Sequence, residues 1–169
     1  SLVLGGGEVK LLEHASAFGI FATEGMRTEP APILRVEDST GRVLEEHRPE
    51  QKRVLDPEIA RQVNDVLSDG NARAFIFGSE NFLTIPDRPV AAKTGTTNDF
   101  RDAWTLGYAP SIVTGVWVGN NNNAAMNTGA DGSKIAAPIW NAFMRFAVSG
   151  KAVEVFTPPL PVVTGKPIL

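Results

Sequence analysis

Ala91-Ala92-Lys93-Thr94-Gly95-Thr96-Thr97-Asn98-Asp99 is the stretch on which the reading of this chain turns. Arg88-Pro89-Val90 leads into it. A residue before proline is pushed out of the helical region, and Val and Thr suit a strand. The stretch therefore places an ammonium group, three hydroxyls and a glycine on or just past a strand end. Glycine there lets a ligand come close to the backbone, and lysine and threonine can bind or polarise an anion. A phosphate-binding loop is excluded, because that loop is glycine-rich and ends in Gly-Lys-Ser/Thr, whereas Ala92 precedes Lys93 here. An ordinary polar strand end and one wall of a catalytic cleft both remain open on these residues alone.

Outward on the C-terminal side, Ala103-Trp104-Thr105-Leu106-Gly107-Tyr108 and Ile112-Val113-Thr114-Gly115-Val116-Trp117-Val118 read as strands. Only Ala109-Pro110-Ser111 separates them, so they should pair antiparallel, and with the Lys93 strand they make three consecutive antiparallel strands. Asn120 to Asn123, continued by Asp131-Gly132, reads as an exposed polar loop. A last helix should start near Pro138, carry Ile139, Trp140, Phe143, Met144, Phe146 and Ala147 as a wide apolar face, and end at Gly150. Residues 151–169, with Pro158, Pro159, Pro161 and Pro167, read as an extended tail.

On the N-terminal side, Gly5-Gly6-Gly7 is a break. Leu11, Leu12, Ala15, Phe18, Gly19 and Ala22 then recur at helical spacing, which predicts a helix over 10–24 stopped near Gly25. Its small residues would let another element pack close. Residues 33–37 and 42–45 flank Asp38-Ser39-Thr40-Gly41 as a hairpin. Asp56-Pro57-Glu58 opens a helix closed by Gly70, with Ile59, Val63, Val66 and Leu67 as its apolar stripe. Residues 71–87 look irregular, with Phe75, Ile76, Phe77 and Phe82 as anchors. The expected class is α/β of the α+β type, an antiparallel sheet covered by helices.

The bulk numbers bound the function. The chain has 169 residues, 43% hydrophobic and 21% charged, which suits one globular domain. A net charge of −3 carries no nucleic-acid signature. Without cysteine there is neither a disulfide framework nor thiolate chemistry. His14 and His47 are isolated and too few for a metal site of ordinary ligand count, so no metal or cofactor is expected. No apolar run is long enough to span a bilayer, and no signal peptide is visible. The chain opens at Ser1-Leu2-Val3-Leu4 without an initiator methionine, and the expectation is a piece of something longer.

The ensemble resembles the transpeptidase domain of the class A (bifunctional) penicillin-binding proteins. Gly5-Gly6-Gly7-Glu8-Val9 followed by Leu12-Glu13-His14-Ala15-Ser16-Ala17-Phe18 resembles the helix downstream of that family's active-site asparagine. Residues 88–99 resemble its Lys-Thr-Gly motif. Asp102-Ala103-Trp104 through Gly107-Tyr108, Val113 through Asn120, and Ala136-Ala137-Pro138-Ile139-Trp140 resemble its following strands and C-terminal helix. The resemblance implies the penicillin-binding protein/serine β-lactamase-like fold over residues 1–150. It implies covalent serine catalysis, in which a D-Ala-D-Ala peptidoglycan stem peptide acylates a serine and a second stem's amine resolves the acyl-enzyme. β-Lactam antibiotics mimic that substrate. It also implies a parent anchored in the cytoplasmic membrane with this domain outside.

Carried over residue by residue, the resemblance assigns Lys93 a positive charge that attracts the substrate carboxylate and tunes proton transfer. Thr94 and Thr96 would bind that carboxylate through their hydroxyls, and the Thr96 N–H would be half of an oxyanion hole. Gly95 would leave room for substrate backbone, while Thr97, Asn98 and Phe100 would shape the cleft. Strand alternation puts Lys93 and Thr94 on opposite faces, so both serve one ligand only if the strand presents its edge.

The family's other two motifs are not evident. No serine is followed by lysine three residues on, and Ser79-Glu80-Asn81 fits Ser-x-Asn only by letter, too close upstream of Lys93. The expectation is a C-terminal portion of a serine-type D,D-transpeptidase domain that lacks its nucleophile, is inactive alone, and needs the N-terminal remainder or self-association. A non-catalytic stem-peptide or β-lactam binding module, and a D,D-carboxypeptidase or β-lactamase relative, are the alternatives. A three-stranded sheet with one covering helix would also leave its second face bare.

Overall fold

The computed structural model describes residues 6–161. Strands β5 (Ala91–Thr96), β6 (Asp102–Ala109) and β7 (Ile112–Gly119) form one antiparallel sheet in the order β5-β6-β7. Lys93 lies opposite Leu106, Trp104 opposite Trp117, and Ala109 opposite Ile112 across the tight Pro110-Ser111 turn. Side chains alternate between faces. Trp104, Leu106 and Tyr108 therefore share one face with Val113 and Gly115, while Ala103, Thr105, Gly107 and Ala109 share the other with Thr114 and Val116.

Both faces are covered, which corrects the expectation of a bare second face. Helix α1 (Leu11–Ala22) lies on the Tyr108 face. Gly115 makes this possible, since a Cβ there would meet Leu11 Cδ1 at 2.9 Å and Ala15 Cβ at 3.4 Å. Phe18 sets its ring edge-on to Tyr108 at 6.2 Å. Helix α4 (Ala137–Val148) covers the opposite face, with Trp140 seated over Gly107 and Met144 receiving the Thr114 hydroxyl at 3.1 Å. Trp140 and Met144 join Leu83, Ile85, Val90 and Ala92 in the core. The wide apolar face expected of α4 is split: Ile139, Phe143 and Phe146 point outward.

Helix α2 (Pro57–Ser68) starts as its sequence dictates, with the Asp56 carboxylate accepting the Glu58 N–H at 2.8 Å and Pro57 in the first turn. Its buried face is not the Ile59/Val63/Val66/Leu67 stripe. Ala60 and Asn64 are buried, whereas Val66 is 72% exposed. A small side chain and an amide face the sheet because Tyr108 brings a phenol there. The Tyr108 hydroxyl donates to Asn64 Oδ1 at 2.6 Å, and Asn64 Nδ2 donates to the Phe21 carbonyl at 3.0 Å, so one amide ties α1, α2 and β6 together. Burial pushes the Tyr108 phenol far above its ordinary range. Asn64→Ala should leave the buried Tyr108 hydroxyl unpartnered and take from the Phe21 carbonyl one of its two donors, the Glu24 N–H remaining, at a cost of about 1–3 kcal/mol. Denaturant unfolding checks this, and a midpoint equal to wild type would show that the amide is dispensable.

Residues 71–87 contain a helix where none was expected. Helix α3 (Gly70–Phe77) begins at Asp69, whose carboxylate accepts the N–H groups of Asn71 and Ala72, and stops at Gly78 with φ 79°. The proposed anchors Phe75, Ile76 and Phe82 are exposed, Phe75 by 90%, and Leu83 and Ile85 are buried in their place.

The hairpin appears as β2 (Arg35–Glu37) and β3 (Val43–Glu46), turned by Asp38, which accepts the N–H groups of Thr40 and Arg42. A further pair, β1 (Met26–Thr28) with β4 (Gln51–Arg53), closes its base. Gly25, at φ +92°, lies so close to the Leu55 carbonyl that no side chain fits, which explains the stop after α1. The tail through Pro161 forms no regular element but folds back on the body. Glu154 accepts the Ser111 hydroxyl, Phe156 packs edge-on to Tyr108, and Glu58 accepts the Leu160 N–H. Gly5 and Pro167 lie outside the described residues. No helix among those residues is long and apolar enough to cross a membrane.

Glu24 joins this region through Arg61, at 3.2 Å from Nε and 2.5 Å from Nη2. Its carboxyl is held below the ordinary value first by the Arg61 hydrogen bond and then by one from Thr157. Burial raises the Asp131 carboxyl, but hydrogen bonds from Ser133 and Lys134 outweigh it and the net shift is also downward. Carboxylates with lowered values stabilise the fold above their unfolded pKa, about 4. That contribution is lost as pH falls through the lowered folded values. The melting temperature should therefore hold from neutrality down to about pH 4 and fall below it. Arg61→Ala should shrink the drop in a pH series, and an unchanged drop would remove Glu24 as a cause.

Candidate active site

Strand β5 is the edge of its sheet. Its hydrogen-bond phase follows from one contact beyond its end, the Thr97 N–H donating to the Asp102 carbonyl at 3.1 Å. In an antiparallel ladder bonded and non-bonded pairs alternate. The pairs Thr96–Ala103, Thr94–Thr105 and Ala92–Gly107 are then the non-bonded ones. The N–H and C=O groups of Thr94 and Thr96 consequently point away from β6 to the open edge, while those of Lys93 and Gly95 pair inward.

Strand alternation sends Lys93 and Thr94 to opposite faces of β5. The Lys93 side chain is exposed and turns round the strand, where its ammonium donates to the Thr94 carbonyl. Among the described residues it enters none of the ion pairs. Thr94 and Lys93 border a cleft of about 160 Å³ between β5 and the α2–α3 corner. Asp69 and Arg73 form its polar rim, and Phe77 and Leu83 its apolar floor. Arg73 braces this wall by donating to the carbonyls of Leu83 and Leu67, and burial lowers its pKa. Sequence reading missed Asp69 and Arg73, because the capping Asp69 was the only signal of α3.

The polar loop after β7 is also more than an exposed turn. Its end winds into a π-helix, Gly132–Ala136, that lies against β5 and β6. Such turns recur at functional sites. The Gly132 N–H donates to Thr96 Oγ1 at 3.0 Å, and the buried Thr105 hydroxyl donates to the Gly132 carbonyl at 3.1 Å. With its lone pair engaged, the Thr96 hydroxyl has its hydrogen free to donate. Asp131 caps the π-helix through the N–H groups of Ser133 and Lys134.

The remaining sequence-derived residues fall as follows. Gly95 has only the Trp104 Cβ near its missing side chain, at 3.5 Å. Asn98 is exposed in a 3-10 turn, Asn98–Phe100, that follows β5. The Thr97 hydroxyl is fully engaged, donating to Asp102 Oδ2 at 2.9 Å and accepting the Asp102 N–H at 2.8 Å. His14 lies away from the edge against Phe18 and Trp104, with burial lowering its pKa. Asn81 of the Ser-x-Asn letters is a turn former, accepting the Leu83 N–H and donating to the Gly78 carbonyl.

Comparison with known proteins gives a single direction. The family model described as the penicillin binding protein transpeptidase domain matches residues 5–145. The chain is 41% identical over 146 residues to penicillin-binding protein 1A of Aquifex aeolicus, covering 86% of this chain and 19% of that one. It is 34% identical over 175 residues to penicillin-binding protein 1A of Neisseria lactamica, covering 98% and 21%. The chain thus spans about a fifth of the length of these curated relatives. Among solved structures, PonA1 of Mycobacterium tuberculosis in complex with penicillin V superposes with a TM-score of 0.79 at 29% identity, covering 95% of this chain and 44% of that one. Penicillin-binding protein 1A of Haemophilus influenzae, at 24% identity and TM-score 0.75 over 89% of this chain and 28% of that one, shares the fold. The chain belongs to the penicillin-binding protein transpeptidase domain family and is similar to class A proteins of the 1A type.

Proposed function

We propose that this chain supplies the substrate-anchoring edge strand of a peptidoglycan D,D-transpeptidase, with the acylated serine contributed by residues beyond these 169. The observation that carries the reading is the open edge of β5, where the Lys93 ammonium bonds the Thr94 carbonyl and the Thr96 N–H is unpaired with β6. A D-Ala-D-Ala stem peptide or a β-lactam would lie along that edge, its carboxylate drawn by Lys93 and accepting from the Thr94 and Thr96 hydroxyls. The Thr96 N–H would stabilise the oxyanion as one of two donors, an effect of roughly 3 kcal/mol. Gly95 leaves the strand uncluttered, and Asn98, exposed in the turn after β5, would shape the approach of the ligand. Thr97 acts through the turn, since its hydroxyl is occupied.

The protein in this reading works outside the cytoplasmic membrane on a membrane-anchored parent. Exposed Val66, Phe75, Ile76, Phe82 and Phe146 support a partner, either the N-terminal remainder of the domain or a second copy. Size-exclusion chromatography of the isolated chain should show self-association, and a well-behaved monomer would contradict that. Intact mass after incubation with a reactive β-lactam tests the function. The chain alone should gain no adduct, and addition of the upstream half should give one on that half. An adduct on this chain would make one of its own serines the nucleophile. No adduct in either sample would favour a non-catalytic binding module. Turnover of a D-Ala-D-Ala peptide without cross-linking would indicate a carboxypeptidase, and fast deacylation a β-lactamase.

A further inference from the structure

The turn joining β5 to β6 is held open against its own backbone preference. Asp99 and Phe100 both sit in the left-handed region, at φ 60° and 52°. For non-glycine residues, an aromatic above all, such a conformation persists only where the surroundings over-determine it. Phe100 is held there by its N–H to the Thr97 carbonyl at 3.2 Å and by its carbonyl accepting the Met126 N–H at 3.0 Å, and Asp102 closes the turn at its base. Its carboxylate accepts the Thr97 hydroxyl on Oδ2 at 2.9 Å and the Trp117 indole N–H on Oδ1 at 2.8 Å. Its N–H donates to Thr97 Oγ1 at 2.8 Å, and its carbonyl accepts the Thr97 N–H at 3.1 Å. Three of these four bonds converge on Thr97, the residue directly after Thr96.

We infer that Asp102 is a positioning residue for the transpeptidase site: by clamping Thr97 to β6 it secures the bonded pair that follows Thr96 and, with the Gly95–Trp104 pair before it, fixes the ladder phase in which the Thr96 N–H points to the open edge. This rests on the functional reading above and deepens it. A donor to a developing oxyanion must be held within about 10–20° of its productive direction. The open edge has no neighbouring strand, so the phase at Thr96 rests on the bonds to β6 on either side of it, at Gly95 and at Thr97. The Trp117 indole anchors the carboxylate from β7, so the clamp runs across all three strands. Because it steers a donor that acts where charge develops, it should govern the acylation step and leave ligand affinity almost unchanged.

The test uses the complete parent protein and a fluorescent penicillin, with the acylation rate constant separated from the dissociation constant by its concentration dependence. Asp102→Asn places an amide donor against a hydroxyl that already accepts an N–H. It should slow acylation about tenfold, with affinity within twofold and an unchanged melting temperature. Thr97→Val should reproduce that loss, and Thr97→Ser, which keeps the hydroxyl, should restore the wild-type rate. Should Asp102→Asn fail to fold, the Thr97 pair decides alone. Wild-type rates in Asp102→Asn or Thr97→Val, or a Thr97→Ser as slow as Thr97→Val, would overturn the inference while leaving the transpeptidase reading intact. A wild-type parent that takes up no label would overturn that reading, and the inference with it.

Discussion

Lys93→Ala in the complete parent protein is expected to slow acylation by a penicillin by about 10²–10³-fold, the size seen when one preorganised charge-stabilising group is removed. The side chain is exposed and makes no ion pair among the described residues, so folding does not depend on it. The effect should appear in the chemistry and leave the melting temperature unchanged. Lys93→Arg keeps the charge, but its planar fork cannot turn round the edge to the Thr94 carbonyl as an ammonium does. It should recover only part of the rate. Stopped-flow acylation at several penicillin concentrations gives the answer, and an alanine variant within threefold of wild type would remove Lys93 from the site.

Gly132→Ala should be strongly destabilising. A Cβ at Gly132 would lie 2.3 Å from the Trp104 carbonyl oxygen and 2.6 Å from that of Gly95, both backbone atoms of the sheet. Neither can swing away as a side-chain tip can, so the π-helix must lift off β5. That breaks the Gly132 N–H bond to Thr96 and the Thr105 bond to Gly132 together. Overpacking against rigid neighbours costs about 1–3 kcal/mol, and two lost hydrogen bonds, one from a buried hydroxyl, put this case at about 3 kcal/mol or above. Gly70→Ala is the control, since nothing lies within 4 Å of its missing Cβ. Equal unfolding midpoints for the two variants would mean that the π-helix does not hold the sheet. Acylation should fall with Gly132→Ala as well, because the Thr96 hydroxyl loses the donor that orients it.

The sheet was legible because β6 and β7 are rich in Val, Ile, Trp and Thr and are separated by a turn too short for anything but an antiparallel return. The α2 start was legible because Asp56-Pro57-Glu58 is a local signal that needs no tertiary partner. Helix α3 was missed for the complementary reason. Its apolar residues Phe75, Ile76 and Phe77 are consecutive and show no helical period, and the Asp69 cap that starts it also ends the helix before it. In α2 the hydrophobic stripe misled, because burial was decided by what β6 presents. A buried phenol on Tyr108 needs an acceptor, and Asn64 supplies one where leucine or valine could not.

The candidate site divides along the same line. Residue types alone say which groups are present, namely the lysine, the threonine hydroxyls and the glycine of residues 93–97, because they carry their chemistry with them. They also say that no Ser-x-x-Lys lies within these residues. That β5 is an edge, that the Thr96 N–H faces outward, that Asp102 occupies the Thr97 hydroxyl and that Gly132 reaches Thr96 from a segment far along the chain all come from how the elements pack. Hydrogen-bond phase and edge position depend on which strands pair, and the close approach at Gly132 on how a distant helix docks. Both are properties of contacts between elements, which no local pattern encodes.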